Sequence, residues 1–529
     1  MSRPDGPSAL APEPSLTAHR PSVGGNGLRP AAGGPRLQVQ ALAPAAALLL
    51  VVSGAAVGAY SVPRYEVWIV LAYAALAAVL AVSAVRGLRP AVRPPAGSAA
   101  VRIGAVLALA VDAVLIEQVP SFSYVTGLRQ TYLLALAAGA ALVAAALIAL
   151  PRSLTADLAL TAAACGYAVV AGAALRLDAA PRIDVWYTLQ GAADGLLHGQ
   201  DMYQQVWVAP PGPMQAFTYL PWMAVLLAPG RWLLGDVRWA LVAVTLGTAF
   251  LFRAMPAASA HRMRAVAADG RATSPSADGS PDVAAARDVS RAVSGALSRV
   301  LSKTVSRDSL SATAAAALLL LLPGTQTQVE QAWTEPLLLA CLTLAMFALA
   351  RGNGVLAVVA VALALASKQH ILLLLPVLAA WPRFGVRRAL ASAGLAAALV
   401  LPWVIADPGA IWHDTVTLLV NFPPLRFADT AYIAVLNEWG VQPPFWLTGA
   451  LVLGTLGGAA FVAHRFDPPA PVLVRWCALV LFVANLVNKQ AFYNQYWLVA
   501  GLVLLSWAVP ATAIGSPRKP SPSPTPTLP

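Results

Sequence analysis

Residues 217–235, FTYLPWMAVLLAPGRWLLG, decide how this chain is folded, because whether they cross a membrane sets the orientation of everything after them. The question arises from composition. Of 529 residues, 58% are hydrophobic and only 11% charged, with a mean hydropathy of +0.68, values outside the range of ordinary soluble domains. Apolar runs of bilayer length occur at about 42–60, 66–85, 100–118, 130–150 and 156–176 before the stretch. After it they occur at about 237–254, 309–323, 334–350, 353–367, 370–382, 387–405, 443–464, 474–488 and 496–512. The stretch itself is aromatic and interrupted by proline.

Lys and Arg arbitrate, since they concentrate on the cytoplasmic side of membrane proteins. If 217–235 lies along the outer surface and the N-terminus is cytoplasmic, 26 of the 35 Lys and Arg residues fall inside and nine outside; if it crosses, the split becomes 14 inside and 21 outside. The first version is the expected one. It makes the chain an all-α polytopic membrane protein with about 14 transmembrane helices, an amphipathic or re-entrant segment on the outer face, and both termini cytoplasmic, as a multi-pass protein of the plasma (inner) membrane. The net charge of +12 then reports topology and contact with membrane lipids, and no nucleic-acid partner is expected.

Working outward, residues 1–41 and 513–529 read as disordered cytoplasmic tails, rich in Pro, Gly and Ser. Residues 42–150 form an extra four-helix membrane region ahead of a catalytic region at 151–512. Within the latter, 256–308 is small-residue-rich and basic, a flexible cytoplasmic loop with an amphipathic helix around 283–304. Cys165, Cys341 and Cys477 lie far apart in apolar runs and read as inert buried thiols. Asp112, with Glu117 on the same run, is expected to pair within the N-terminal bundle.

The polar residues expected on the outer face collect in a few places. RIDVWYTLQGAADGLLHGQDMY at 182–203 carries Asp184, Asp194 and Asp201 around an amphipathic stretch at 186–198. QTQVEQAWTEP within 325–336 carries Glu330 and Glu335, SKQH carries Lys368, Gln369 and His370, and NKQAFYNQYW carries Lys489, Gln490, Tyr493 and Asn494. A Lys in an apolar helix costs about 2.5–3.5 kcal/mol on insertion scales, so it needs a partner or a task. Snorkelling to headgroups is one task for Lys368 and Lys489; because KQ recurs on a face where bases are scarce, the expected one is that both grip an anion, such as a lipid phosphate. Trp and Tyr near this face either form an ordinary interfacial belt or stack on sugars.

These motifs resemble the GT-C class of integral-membrane glycosyltransferases, particularly bacterial polyprenyl-phosphate-mannose-dependent mannosyltransferases. The likeness rests on IDVW at 183–186, GAADGLLHGQDMY at 191–203, FTYLPW at 217–222, GDVR at 235–238, WTEPLLLA at 333–340, SKQH and NKQAFYNQYW, and spans about 156–512. It implies a hexosyltransferase moving a sugar, mannose by the resemblance, from a polyprenyl-phosphate donor to a lipid or glycan acceptor on the extracytoplasmic face of the cell envelope. Asp184 matches the acidic residue of the first outer loop and is the expected general base. One base suffices, because the departing phosphate is stable as an anion; glycoside hydrolysis, by contrast, commonly uses two carboxylates. Glu335, Lys368, Gln369, His370, Lys489, Gln490, Tyr493 and Asn494 are the expected substrate-binding residues; Asp194 and Asp201 read as solvated and turn-capping. No Asp-x-Asp pair stands in the opening loop, so no metal site is assigned, although isolated carboxylates leave a divalent cation open. The rival reading is a lipid-linked sugar flippase or other transporter, which tends to bind near the midplane and to carry inverted repeats.

Overall fold

Long Ala, Leu and Val runs form helices here because, away from water, each backbone polar group must be satisfied within its own segment. A computed structural model describes residues 35–62, 64–88, 98–119, 122–150, 153–208, 216–272 and 307–514. Among these residues every regular element is helical. The first five helices are α1 (Pro35–Tyr60), α2 (Val67–Arg86), α3 (Ser98–Gln118), α4 (Gly127–Ala149) and α5 (Ser153–Leu177), followed by the short α6 (Asp184–Leu197) and α7 (Trp222–Leu234). Next come α8 (Arg238–Ala272), α9 (307–321), the short α10 (Thr325–Glu330), α11 (Glu335–Ala350) and α12 (Gly354–Ser367). A 3-10 turn, Gln369–Leu374, leads into α13 (Leu375–Ala380); α14 (Gly385–Ala406), α15 (Pro408–Trp412), α16 (Leu418–Asn421), α17 (Ala431–Trp439), α18 (Phe445–Phe466), α19 (Ala470–Leu486) and α20 (Tyr493–Ala508) complete the chain.

Thirteen of the fourteen predicted apolar runs each fall on one α-helix, whereas that at 370–382 is divided between the 3-10 turn and the short α13. Seven of the helices, α2, α3, α4, α5, α8, α14 and α18, are long and apolar enough to cross a membrane. The architecture is that of a helical membrane protein. α9, α11, α19 and α20 are buried on nearly every side, as helices apolar all round should be. At the periphery, α14 and α18 expose Leu390, Ile405, Leu453 and Phe461.

The stretch 217–235 yields an irregular segment and then α7, whose 13 residues rise about 20 Å at 1.5 Å per residue. The 14 residues of α6 rise about 21 Å. Neither reaches the roughly 30 Å of a hydrocarbon core. The two pack together: the Arg231 guanidinium grips Asp194 at 2.7 and 2.9 Å, Trp232 Nε1 donates to the Ala193 carbonyl, and Gln190 bonds both the Gly235 carbonyl and the Val237 N–H. Gly235, at φ +83°, closes α7 in the left-handed conformation open to glycine.

Three expectations change. Residues 256–272 are not a loop: α8 continues through Pro256 to Ala272, because the Ala, Arg and Met of this stretch are strong helix formers. The remainder of the expected loop, with its helix at 283–304, and residues 1–34 and 515–529 of the expected tails lie outside the described residues; 35–41 and 513–514 are described, the former as the start of α1. Asp112 does not pair. It is fully buried and both carboxylate oxygens lack a partner among the described residues, whereas Glu117, five positions on and so about 140° around the helix, is exposed.

The four N-terminal helices also divide. α3 packs on α4 and α4 on α5, while α2 packs on α19. Tyr73 of α2 stacks on Tyr496 of α20 with centroids 4.0 Å apart. A Cβ on Gly58 of α1 would stand 2.3 Å from the Tyr493 ring and one on Gly324 2.2 Å from it, so both glycines make room for that ring. Near this end of α20, the Tyr65 hydroxyl donates to Glu438 and the Glu66 N–H to Asp429, joining the α1–α2 loop to the segment around α17.

Gly324→Ala should therefore lower stability by about 2–4 kcal/mol, since it adds a side chain at φ +81° and drives it into Tyr493; thermal unfolding of the purified chain checks this, and adding Tyr493→Leu should restore part of the loss. Asp429 supplies a pH dependence. Burial, chiefly, raises its pKa from 3.8 to about 7, so the folded state holds a proton that the unfolded state releases. Its contribution to stability is present below about pH 4 and is lost as pH rises to about 7. Asp429→Asn should accordingly stabilise the chain at pH 8 and not at pH 4, and unfolding temperatures across that range would show it.

Candidate functional site

The segment TQTQVEQAWTEP breaks the helical run between α9 and α11. α10 begins after Gly324 and ends at Gln331, and Ala332 then takes φ 54° while fully buried. A left-handed non-glycine costs about 1–2 kcal/mol and persists only where its surroundings enforce it. The Trp333 N–H donating to the Gln328 carbonyl at 2.8 Å, and Pro336 in the first turn of α11, lock the new direction. The break buries a polar set: Trp497 Nε1 donates to Thr325 Oγ1, whereas Gln326 Oε1 and both amide atoms of Gln328 have no hydrogen-bond partner among the described residues.

Glu335, the first residue of α11, is wholly buried. Lys368, at the C-terminal end of α12, reaches it with Nζ 2.6 Å from Oε1 and also donates to Thr334 Oγ1 at 3.1 Å. The same ammonium stands 5.1 Å from the centroid of the Tyr219 ring. Tyr219 is held there by backbone: the Leu220 N–H donates to the Ser367 carbonyl, and Gln369 Nε2 donates to the carbonyls of Thr218 and Thr415. Burial first, then the nearby carboxylates of Glu335 and Asp184, push the Tyr219 hydroxyl well above its ordinary range. Asp184 and Glu335 therefore both act electrostatically on one tyrosine. The Asn494 amide also faces Glu335, and the His370 ring lies within electrostatic range of it; His370 Nε2, Glu335 Oε2 and Asn494 Oδ1 are buried without a hydrogen-bond partner among the described residues.

Asp184 opens α6, where the positive end of the helix faces a carboxylate. Only 7% exposed, its Oδ1 accepts the Val185 N–H at 2.8 Å. The other acids have structural work. Asp194 is clamped by Arg231; Asp201 accepts the Tyr203 N–H and closes its turn. Asp236 is bound by Arg238 and Trp186, and Glu330 accepts the N–H groups of Ser123, Tyr124 and Val125.

Thus Lys368 joins Glu335 to the Tyr219 ring, His370 and Asn494 act on the same glutamate and Asp184 on the same tyrosine, with Gln369 bracing the backbone beside them. The rest of the expected set does different work. Lys489 donates to the Val420 and Phe422 carbonyls, supporting the chain after α16, and the Gln490 N–H donates to Asn488 Oδ1. Tyr493 is buried, bonds the Pro323 carbonyl and sets its ring edge-on to Trp333. Lys368 already has a carboxylate partner, so the two lysines do not stand as a pair of open cations. Tyr219 and Thr334 are the additions; each stands inside a quoted motif, FTYLPW and WTEP, but Tyr219 reads there as one more interfacial aromatic. Among the described residues no three His, Cys, Asp or Glu side chains converge as a metal site would require.

Glu335→Gln should cost about 3–5 kcal/mol, since it leaves the Lys368 ammonium without its counter-charge in a buried setting. Glu335→Gln with Lys368→Met should recover much of the loss, and thermal unfolding of wild type, single and double variants measures both. A double variant no more stable than the single would show that the pair is not the source.

No protein-family model, curated protein or solved structure matches this chain.

Proposed function

We propose that this chain is a membrane glycosyltransferase that moves a sugar, mannose by the resemblance, from a polyprenyl-phosphate donor to the hydroxyl of a lipid or glycan acceptor. The observation that supports this most is the buried Glu335–Lys368 pair against the Tyr219 ring, beside buried polar atoms on His370 and Asn494 that have no hydrogen-bond partner among the described residues. A hydroxyl-rich ligand supplies both donors and acceptors to such atoms. In this reading fourteen helices span the plasma membrane, α6 and α7 lie along its outer side without crossing, and the site faces outward with both termini cytoplasmic. The shortness of α6 and α7 and the Lys and Arg distribution support that arrangement.

Asp184 is the base. Its carboxylate takes the proton of the acceptor hydroxyl as that oxygen bonds to the anomeric carbon, and the carbon–oxygen bond to phosphate breaks with its electron pair leaving on phosphate. Lys368 remains paired with Glu335 and offers its remaining N–H to the leaving phosphate. Cationic help at the phosphate is thus shared with the buried dipoles around it.

A second reading, a transporter of a lipid-linked sugar, is favoured by one observation: Asp112, fully buried in the middle of α3, has both oxygens unpartnered among the described residues. Intramembrane acids of this kind mark transport pathways.

Membranes containing the chain, incubated with labelled polyprenyl-phosphate sugars, should form a labelled product. Asp184→Asn should reduce its formation by about 10²-fold or more, with the chain still inserted and folded; full activity in that variant would remove Asp184 as base. Lys368→Ala paired with Glu335→Ala, which leaves no uncompensated charge, should weaken donor use. Movement of label across sealed vesicles without product, lost in Asp112→Asn, would favour transport. Protease cleavage within 273–306 from the outside of sealed cells would overturn the orientation.

A further inference from the structure

A crevice runs between the first two helices and the last two, lined from α1, α2, α19 and α20, with about 850 Å³ of empty volume counted to its open mouth. Its floor is apolar. Tyr73 and Tyr493 close one end, near the start of α20, and Trp507 marks the other. Along α20 the distance from Tyr493 to Trp507 is about 21 Å at 1.5 Å per residue, longer than one leaflet of a roughly 30 Å hydrocarbon core. Leu50 and Val79, on its rim, are exposed, so the crevice opens sideways, onto the surface that lipid chains would cover.

Among the described residues one charged side chain lines this crevice, Arg475, in the second turn of α19. It sits at the end of the helices opposite Glu335 and Lys368, since its hydrogen bonds go to Ser83 near the end of α2 and Ser506 near the end of α20. Those bonds are long, 3.3 Å to Ser83 Oγ and 3.4 Å to Ser506 Oγ. Among the described residues no carboxylate pairs with Arg475. A guanidinium has five N–H donors in a planar fork; two weak hydroxyl contacts leave most of them unused, and a cation at membrane depth without an anion is expensive.

We propose that the crevice binds a phospholipid of net negative charge, with one acyl chain along α20 and the headgroup phosphate on the Arg475 guanidinium. The fork of arginine matches a phosphate through two parallel N–H bonds. A zwitterionic headgroup brings its own ammonium toward Arg475 and loses part of that gain; an anionic one does not. This site is independent of the reading given for Glu335, Lys368 and Asp184.

The test is native mass spectrometry of the detergent-purified full chain given equal amounts of phosphatidylglycerol and phosphatidylcholine of the same chains. Wild type should retain phosphatidylglycerol in preference by about tenfold. Arg475→Gln should bring the two lipids to near equality, and Arg475→Lys should keep part of the preference. Ala500→Phe, which fills the apolar floor, should reduce retention of both while leaving helicity unchanged. If Arg475→Gln fails to fold, the Lys and Phe variants still decide. Equal retention of the two lipids by wild type, a preference that survives in Arg475→Gln, or undiminished binding in Ala500→Phe would each overturn the proposal; the second of these would mean that Arg475 merely reaches toward the headgroup region.

Discussion

A carboxylate with no solvent exposure at the start of an apolar helix needs its charge answered from within the protein, and this requirement on Glu335 organises the centre of the chain. Lys368 answers it from the far end of α12, so the ends of α11 and α12 must meet. That meeting closes the end of the two helices opposite their connecting turn at 351–353, and it brings in Tyr219, whose ring lies against the ammonium. Burying such a pair costs desolvation of both ions and gives weak evidence of stability by itself. What the pair does supply is register: removing either member leaves an uncompensated charge.

The break that presents Glu335 follows the same logic. Helices satisfy their own backbone, and departures from them at membrane depth occur where protein or a cavity takes over. Here Gly324 accommodates the Tyr493 ring, Ala332 is held in a left-handed conformation, and Thr325 is bonded by Trp497. Among the described residues the other non-glycine in that conformation is Asp467, at the end of α18. The stretch between α9 and α11 also carries buried amide atoms with no hydrogen-bond partner among the described residues, on Gln326 and Gln328. A fold built only for packing has little reason to place both there.

Much of the helical layout was legible in the sequence because it depends on a one-dimensional quantity, the length of an apolar run. The pairing of side chains was not, because it depends on which ends meet. KQ recurs at 368 and 489, yet one ammonium is taken by Glu335 and the other by the Val420 and Phe422 carbonyls; nothing in the spacing distinguishes them. Asp112 and Glu117 share a run but point to different sides of α3. Residues 256–272 look like a loop by polarity, although their Ala and Arg continue α8. Tyr493 sits in a polar motif and proves to be a packing residue, while Tyr219, in an aromatic one, stands at the candidate site.

The first turn of α20 makes this division concrete. Tyr493 and Asn494 are consecutive, so their side chains leave the helix about 100° apart. Asn494 faces Glu335, while Tyr493 reaches Gly58, Gly324 and the end of the crevice between α1, α2, α19 and α20. The helix is therefore a wall shared by two spaces of different chemistry, one polar and short of hydrogen-bond partners, the other apolar with Arg475 at its far end. Both Gly58 and Gly324 are needed to seat the ring between them, which makes the position of this turn, and with it the direction of Asn494, depend on the packing of α1 as well as on α10 and α11. That dependence gives the N-terminal helices a physical part in shaping the site although none of the candidate site residues lies on them.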